Sequence, residues 1–235
     1  MRRPVAGRGG GLAAGSVKRG DDMADSSRAD FWEQRYREGV TPWEGGQLPP
    51  RARAFFAAQR PLRVLMPGCG SAADLPPLLA MGHDVLAVDF SEAAIALAAR
   101  QWPEAAGRLL LADFFQLQMP AFDCLFERAF LCALPVGMRS QYAERVAALI
   151  APGGALAGVF FVADTERGPP FGMRAEALRE LLSPWFELEE DLALDESVAV
   201  FRNRERWMVW RRRGFDLGQV SEHESTGNCG AHRKE

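Results

Sequence analysis

Several kinds of chemistry are absent from this chain before any element is placed. Cysteine is scarce: Cys69, Cys124, Cys132 and Cys229 are the only four, and no pair has C-x-x-C spacing. Neither a disulfide framework nor a zinc site is therefore expected. Three of the four fall in apolar segments, where a free cysteine packs as a small hydrophobe, and this usage fits a reducing, cytoplasmic compartment. The three histidines join no cluster of metal-ligating residues and no Ser/His/Asp set, so no metal and no nucleophilic triad are expected. No apolar run approaches the ~20 residues that would span a bilayer. Charge of one sign is lacking too: 28 Lys and Arg against 31 Asp and Glu leave a net −3, which argues against nucleic acid or an anionic membrane as the main partner.

The N-terminus has a positive start, but Gly and Arg interrupt any hydrophobic stretch, so a secretory signal is not expected. Its Arg content and its lack of acids before Asp21 leave a transit peptide as an alternative. The simpler reading is a disordered leader over 1–27, with Met23 as another candidate start. At the far end, residues 214–235 are polar and pattern-free and read as a disordered tail.

Between these ends the composition suits one α/β domain over 28–213, with 48% hydrophobic and 25% charged residues to build a core and a surface. Short apolar runs at 62–66, 85–88, 108–112, 124–126 and 155–162 alternate with helix-like stretches at 73–81, Glu92–Gln101 and 138–150. Strands that are apolar almost throughout, separated by helices, predict a parallel sheet covered on both faces. After Pro184 two strand-like runs, Phe186–Ala193 and 206–212, follow without a long helix between them and predict an antiparallel pair closing the sheet. Two further helices, 30–37 and 50–59, are expected in a front segment over 28–60.

The most informative stretch is Leu62-Arg-Val-Leu-Met-Pro-Gly68-Cys-Gly70-Ser, followed by a helix, a strand and Asp89. Two glycines let the chain turn sharply out of a strand and approach a ligand. An acid at the end of the next strand reaches ribose hydroxyls. Gly68-Cys-Gly70-Ser-Ala-Ala73 also matches the dinucleotide fingerprint G-x-G-x-x-A, so an NAD(P)-dependent oxidoreductase is one reading. Other features favour adenosylmethionine. About 60 residues containing aromatics precede the loop. The third strand ends in Leu111-Ala-Asp113-Phe114-Phe115, an acid for an adenine amino group beside an apolar wall. Ala151-Pro-Gly153-Gly154 leads into the fifth strand, ahead of the antiparallel pair. The layout is that of a Rossmann-like class I methyltransferase, with a mainly parallel seven-stranded sheet, an antiparallel C-terminal strand and helices on both faces.

The chain resembles the thiopurine S-methyltransferase superfamily, and most closely its thiol and halide methyltransferase branch, over roughly Phe31 to Arg212. The front motif is Phe31-Trp-Glu-Gln-Arg-Tyr-Arg-Glu-Gly-Val-Thr-Pro-Trp43-Glu-Gly-Gly-Gln-Leu-Pro. It is followed by Val64-Leu-Met-Pro-Gly-Cys-Gly, Ala112-Asp-Phe-Phe, Phe122-Asp, Glu127-Arg-Ala-Phe-Leu-Cys-Ala-Leu and Gly168-Pro-Pro-Phe171. The resemblance implies that Trp32, Tyr36 and Trp43 belong to an N-terminal segment closing over bound S-adenosyl-L-methionine, whose sulfonium aromatic faces attract. Tyr36 stands where the family often has Trp. Gly68 matches the position near the methionine part, Asp89 the ribose acid, Asp113 and Phe114 the adenine contacts, and Arg128 the position after the fourth strand, where some thiol-branch members differ. The aromatics have a second reading as ordinary core, since Trp32 and Tyr36 lie four apart on a helix.

The resemblance further implies methyl transfer by a monomer, and an aromatic, water-excluding pocket suits a small soft acceptor such as a thiol, bisulfide, a thiopurine or a halide. In-line transfer requires no metal, and a dedicated base is optional because an ordinary thiol ionises at about 8.5. Phe130, Cys132 and Gly168-Pro-Pro-Phe171 are candidates to shape the acceptor pocket, with Arg139, Asp164 and Arg167 as polar candidates at its mouth. His83 reads as a surface histidine rather than a base. A non-catalytic module that only binds the cofactor is the remaining alternative.

Overall fold

The computed structural model describes residues 25–45, 47–165, 167–194 and 197–214. Its strands are β1 (Arg63–Pro67), β2 (Asp84–Asp89), β3 (Leu109–Leu111), β4 (Phe122–Arg128), β5 (Ile150–Phe161), β6 (Phe186–Ala193) and β7 (Glu205–Arg212). They form one seven-stranded sheet in the order β3-β2-β1-β4-β5-β7-β6. The pairings from β3 through β5 are parallel. Strand β7 runs antiparallel to both of its neighbours, β5 and β6. The expected fold class is the one observed.

Period-two alternation sends neighbouring side chains into separate cores. Val64 and Met66, Cys124 and Phe126, Ala157 and Val159, and Trp207 and Val209 pack on one face. Leu65, Leu125, Leu156, Phe160, Met208 and Trp210 pack on the other. The first face is covered by α2 (Pro50–Ala57), through Ala52 and Phe56, and by α3 (Leu75–Ala80), through Leu75 and Leu78. The second is covered by α5 (Arg139–Leu149) and α6 (Ala175–Leu182). Helix α1 (Ala29–Glu38) lies against α4 (Glu92–Gln101). Among the described residues no helix is long and apolar enough to cross a membrane.

Several boundaries depart from the sequence reading for identifiable reasons. Helix α3 begins at Leu75 rather than 73, because Pro76 and Pro77 occupy its first turn, where a missing N–H costs nothing. Strand β4 runs on through Glu127 and Arg128, charged residues at which an apolar pattern stops, because pairing with Gly158 and Val159 of β5 continues. Strand β5 starts at Ile150, not 155: Phe122 pairs with Ile150 and Cys124 with Ala155, so the intervening segment bulges from the ladder. The sequence reading omitted α6, whose Leu178 and Leu182 face the core four residues apart. The expected leader over 1–27 overlaps the ordered chain: Ser26 is buried, and its carbonyl accepts from Trp32 Nε1 at 2.8 Å. Residues 1–24 of that leader, the expected tail from 215 and Cys229 lie outside the described residues.

His83 is also a correction. It is buried; its Nδ1 accepts from the Leu62 N–H at 3.1 Å, which requires Nε2 to carry the proton toward the Phe56 carbonyl 3.2 Å away. The ring joins the end of α2 to the start of β1 and lies outside the lining of the cavity described below.

Leu182 is fully buried under the second face, away from the cavity described next. Leu182→Ala should lower unfolding free energy by about 2–5 kcal/mol in urea titration while leaving adenosylhomocysteine affinity unchanged in calorimetry.

Candidate active site

Because the chain runs outward from β1 through β2 to β3 and then returns to place β4 on the other side of β1, a crevice opens beyond the carboxyl ends of β1 and β4. A cavity of about 380 Å³ fills it, within the usual range for a small-molecule site. Trp32, Tyr36, Trp43, Gly68, Asp89, Asp113, Phe114 and Arg128 all line it.

Gly68 and Gly70 both adopt positive φ, +56° and +52°. A Cβ on Gly68 would lie 2.3 Å from the Phe130 ring, and one on Gly70 the same distance from Glu44 Oε1 and the Tyr36 hydroxyl. The cradle therefore needs glycine for its backbone and for its space. Asp89, at the end of β2, accepts from the Gly70 N–H at 3.0 Å and the Ser91 N–H at 2.9 Å. Burial pushes its carboxyl up to about 6 against those hydrogen bonds, and nearby Glu44 adds to the rise.

Asp113 is exposed and caps a 3-10 turn (Phe114–Gln116), accepting from the Phe115 N–H at 2.8 Å. Phe114 is buried and meets the Phe130 ring edge-on at 5.1 Å. Arg128 reaches Asp74 at 3.2 Å and donates to the carbonyls of Gly45 and Gln47 at 3.2 and 3.5 Å. The Asp74 carboxyl is raised by burial, opposed by Arg128.

The front segment folds over this crevice as an aromatic cover. Trp32 and Trp43 meet edge-on at 5.3 Å, and Trp43 and Tyr36 at 6.1 Å. Trp43 Nε1 donates to the Tyr36 oxygen at 3.2 Å, and the Tyr36 hydroxyl donates to Glu44 Oε1 at 2.8 Å. Burial, with Glu44 and Asp89 adding to it, keeps that hydroxyl protonated far above the usual tyrosine range. These rings are half-buried, in contrast to the fully buried Phe56 and Trp207 of the core.

Two carboxylates that the sequence reading did not single out hold the cover down. Glu44 accepts from the Ser71 N–H at 3.0 Å and from the Ser71 hydroxyl. Glu33 accepts from the Ser91 hydroxyl at 2.7 Å and the Ala93 N–H at 2.9 Å, at the N-terminus of α4. Against the penalty of burial, the Ala93 N–H, the Ser91 hydroxyl and Arg37 hold the Glu33 carboxyl below its ordinary range. The helix dipole favours a carboxylate at that end. Their one sequence signal is an acid in the middle of the front motif.

The cavity lining further includes Phe130, which abuts Gly68, and Cys132, Leu134, Met138, Pro169 and Phe201, with Arg35 as an additional charged residue. Burial pushes the Cys132 and Cys69 thiols well above their usual value, so neither is a thiolate. Asp164 and Arg167 are exposed and fall outside the lining. Arg139 also lies outside it and donates to the Gly172 carbonyl at 2.6 Å. Among the described residues no group of His, Cys, Asp and Glu is arranged to hold a metal ion.

The family profile described as thiopurine S-methyltransferase matches residues 27–213. Among curated relatives, the probable thiol methyltransferase 2 of Arabidopsis thaliana is 30% identical over 177 residues, 72% of this chain and 78% of that protein. A thiopurine S-methyltransferase of Xanthomonas campestris pv. campestris (strain 8004) is 31% identical over 184 residues, 68% of this chain and 84% of its own. Among solved structures, the 1,6-didemethyltoxoflavin-N1-methyltransferase of Burkholderia thailandensis, with bound 1,6-didemethyltoxoflavin and S-adenosylhomocysteine, superposes with a TM-score of 0.66. It is 24% identical, and the match covers 80% of this chain and 88% of that one. At that identity the likeness speaks for the fold.

Asp89→Ala should weaken adenosylhomocysteine binding by about 1.5–3 kcal/mol, the range for hydrogen bonds to a charged acceptor. In the wild type, calorimetric affinity should fall as pH drops through about 6, where ligand-free Asp89 takes up its proton. The stability sign is opposite. A carboxyl raised from 3.8 to about 6 favours the ligand-free fold at low pH, and that contribution is lost as pH rises through about 6. For the cover, Trp43→Ala should destabilise the ligand-free protein by less than the roughly 3–5 kcal/mol of a buried aromatic, yet lower adenosylmethionine affinity severalfold. Denaturant melts and calorimetry on the same preparations measure both.

Proposed function

The chain belongs to the thiopurine S-methyltransferase family, and on that premise we propose that it methylates the sulfur of a small thiol, bisulfide or a thiopurine, with halide as a further acceptor, using S-adenosyl-L-methionine. The single observation that supports this choice of acceptor is the group of aromatic, aliphatic and thiol side chains in the lining, Phe130, Cys132, Leu134, Met138, Pro169 and Phe201.

The residues present suit the cofactor. Gly68 and Gly70 form a cradle that a Cβ would fill. Asp89 offers a carboxylate to ribose hydroxyls, Asp113 and Phe114 provide an acid and a ring for adenine, and the aromatic cover suits a sulfonium. When bound, S-adenosylmethionine supplies an electrophilic methyl group on a positively charged sulfur. The chain's own contributions are placement and the exclusion of water. Trp32 and Trp43 close the crevice from outside, and Phe130, Leu134 and Met138 wall the acceptor side. Holding two reactants in line can supply about 7–11 kcal/mol of a barrier. A dry wall favours an anionic acceptor losing its charge against a sulfonium over the separated ions.

An acceptor that reaches its anion without help suits a wall without a base. Ordinary thiols ionise near 8.5, whereas alcohols and amines would need a proton removed. The oxidoreductase reading of the glycine loop is disfavoured by the donors themselves. Gly70 N–H is taken by Asp89 and Ser71 N–H by Glu44. A dinucleotide's diphosphate would therefore face carboxylates where it needs amides.

A methyl-transfer assay across alkyl and aryl thiols, bisulfide, thiopurines and iodide, with product masses as readout, tests the proposal. Turnover on at least one sulfur acceptor is expected, with none on alcohols or amines. Tight binding of adenosylhomocysteine without methylation of any of these would leave a binding module instead.

A further inference from the structure

We propose that Glu44 recognises the α-ammonium group of the cofactor's amino-acid end. This rests on the adenosylmethionine reading above and deepens it by giving the front segment a charge to read as well as a surface to cover.

Each other carboxylate on the cavity wall has a different task. Asp89 stands at the end of β2 for the ribose and is bound to the Gly70 and Ser91 amides. Asp113 is at the adenine end and caps the turn at Phe114. Asp74 is paired with Arg128. Strand β1, which leads into the glycine loop, brings only Met66 and Pro67 to the wall. An ammonium group lying over the loop therefore depends on a carboxylate from elsewhere in the chain, and Glu44 is directly above it. A Cβ on Gly70 would come within 2.3 Å of Glu44 Oε1.

The carboxylate is held rather than loose. Oε1 accepts from the Ser71 N–H and the Tyr36 hydroxyl, and Oε2 from the Ser71 hydroxyl. A carboxylate offers about four acceptor positions, so one remains, on Oε2. The counter-charge lies alongside: Arg128 donates to the carbonyl of Gly45, the next residue in the chain. An anion and a cation fixed to one short segment match a zwitterionic amino-acid group. Glu44 also raises the carboxyls of both Asp74 and Asp89, and an incoming ammonium relieves that repulsion.

The test is a chemical double-mutant cycle by calorimetry. Wild type and Glu44→Gln, which keeps the shape and an acceptor oxygen, are titrated with S-adenosylhomocysteine, its analogue lacking the α-amino group, and 5′-methylthioadenosine, which lacks the whole amino-acid portion. Wild type should lose about tenfold in affinity when the amino group is removed. Glu44→Gln should bind adenosylhomocysteine about tenfold more weakly than wild type and no longer distinguish it from the deaminated analogue. Methylthioadenosine should bind both proteins within about twofold, which also shows that the variant is folded. Equal losses for methylthioadenosine and adenosylhomocysteine in Glu44→Gln would make Glu44 a latch for the cover and overturn the proposal. So would wild-type protein that binds the deaminated analogue as tightly as adenosylhomocysteine, a result independent of any variant. Wild type that binds none of the three would overturn the cofactor reading itself.

Discussion

The site depends on one buried carboxylate. Asp89 takes the Gly70 N–H on one side and the Ser91 N–H on the other, and so joins the loop leaving β1 to the loop leaving β2. The backbone reinforces the junction: Cys69 N–H donates to the Val88 carbonyl and Ala112 N–H to that of Asp89, each at 3.0 Å. An isolated charge in that position would be expensive. It is tolerated because backbone amides, which otherwise lack partners where strands give way to loops, are directed at it. Three successive strand ends are thereby held in register around the crevice.

The cover uses the same device at a second level. Ser71 follows one amide donor to Asp89, and Ser91 is the other; these two residues receive Glu44 and Glu33 from the front segment. The aromatic cover is therefore attached to the two loops that Asp89 unites. Its attachment consists of hydrogen bonds to carboxylates and edge-on ring contacts rather than a fully buried apolar face. Contacts of that kind open at lower free energy than core packing, which suits the proposed role of a segment that admits a ligand and then excludes water.

What the sequence made legible divides along the same line. Strand alternation, the glycine turn and Asp89 could be read because their chemistry is local or follows from strand order: Gly68 and Gly70 sit at the end of an apolar run, and Asp89 ends the next. Glu44 and Glu33 could not, because their partners lie 27 and 58 residues away, and nothing in an isolated Glu says which serine it will meet. His83 failed for a related reason. Its position between a helix and a strand suggests a surface loop, whereas its ring nitrogens serve backbone groups at Leu62 and Phe56. Helix α6 has only eight residues, too few for apolar spacing to stand out after a proline-rich turn. The front aromatics favour a cover over a core in the sequence because the motif spacing continues to Trp43, and the structure shows them half-buried, with Tyr36 bonded to Glu44 and Trp32 to the Ser26 carbonyl.

The cavity lining carries four carboxylates, Glu44, Asp74, Asp89 and Asp113, and two guanidinium groups, Arg35 and Arg128. Around the glycine loop stand Glu44, Asp74 and Asp89, with Arg128 ion-paired to Asp74, a balance that suits a ligand of net positive charge. Phe130, Cys132 and Met138 add uncharged side chains to the same lining. Behind them the buried acid Glu127 accepts from the Leu131 N–H at 2.7 Å and is pushed up to about 8 by burial, and both Glu127 and Glu205 add to the rise of the Cys132 thiol. Were Glu127 ionised there, it would repel an approaching anion across a low-dielectric wall, where charges interact far more strongly than in water. A lining with more carboxylates than guanidinium groups fits the proposed pairing of a cationic cofactor with a small anionic acceptor, whose charges cancel on transfer.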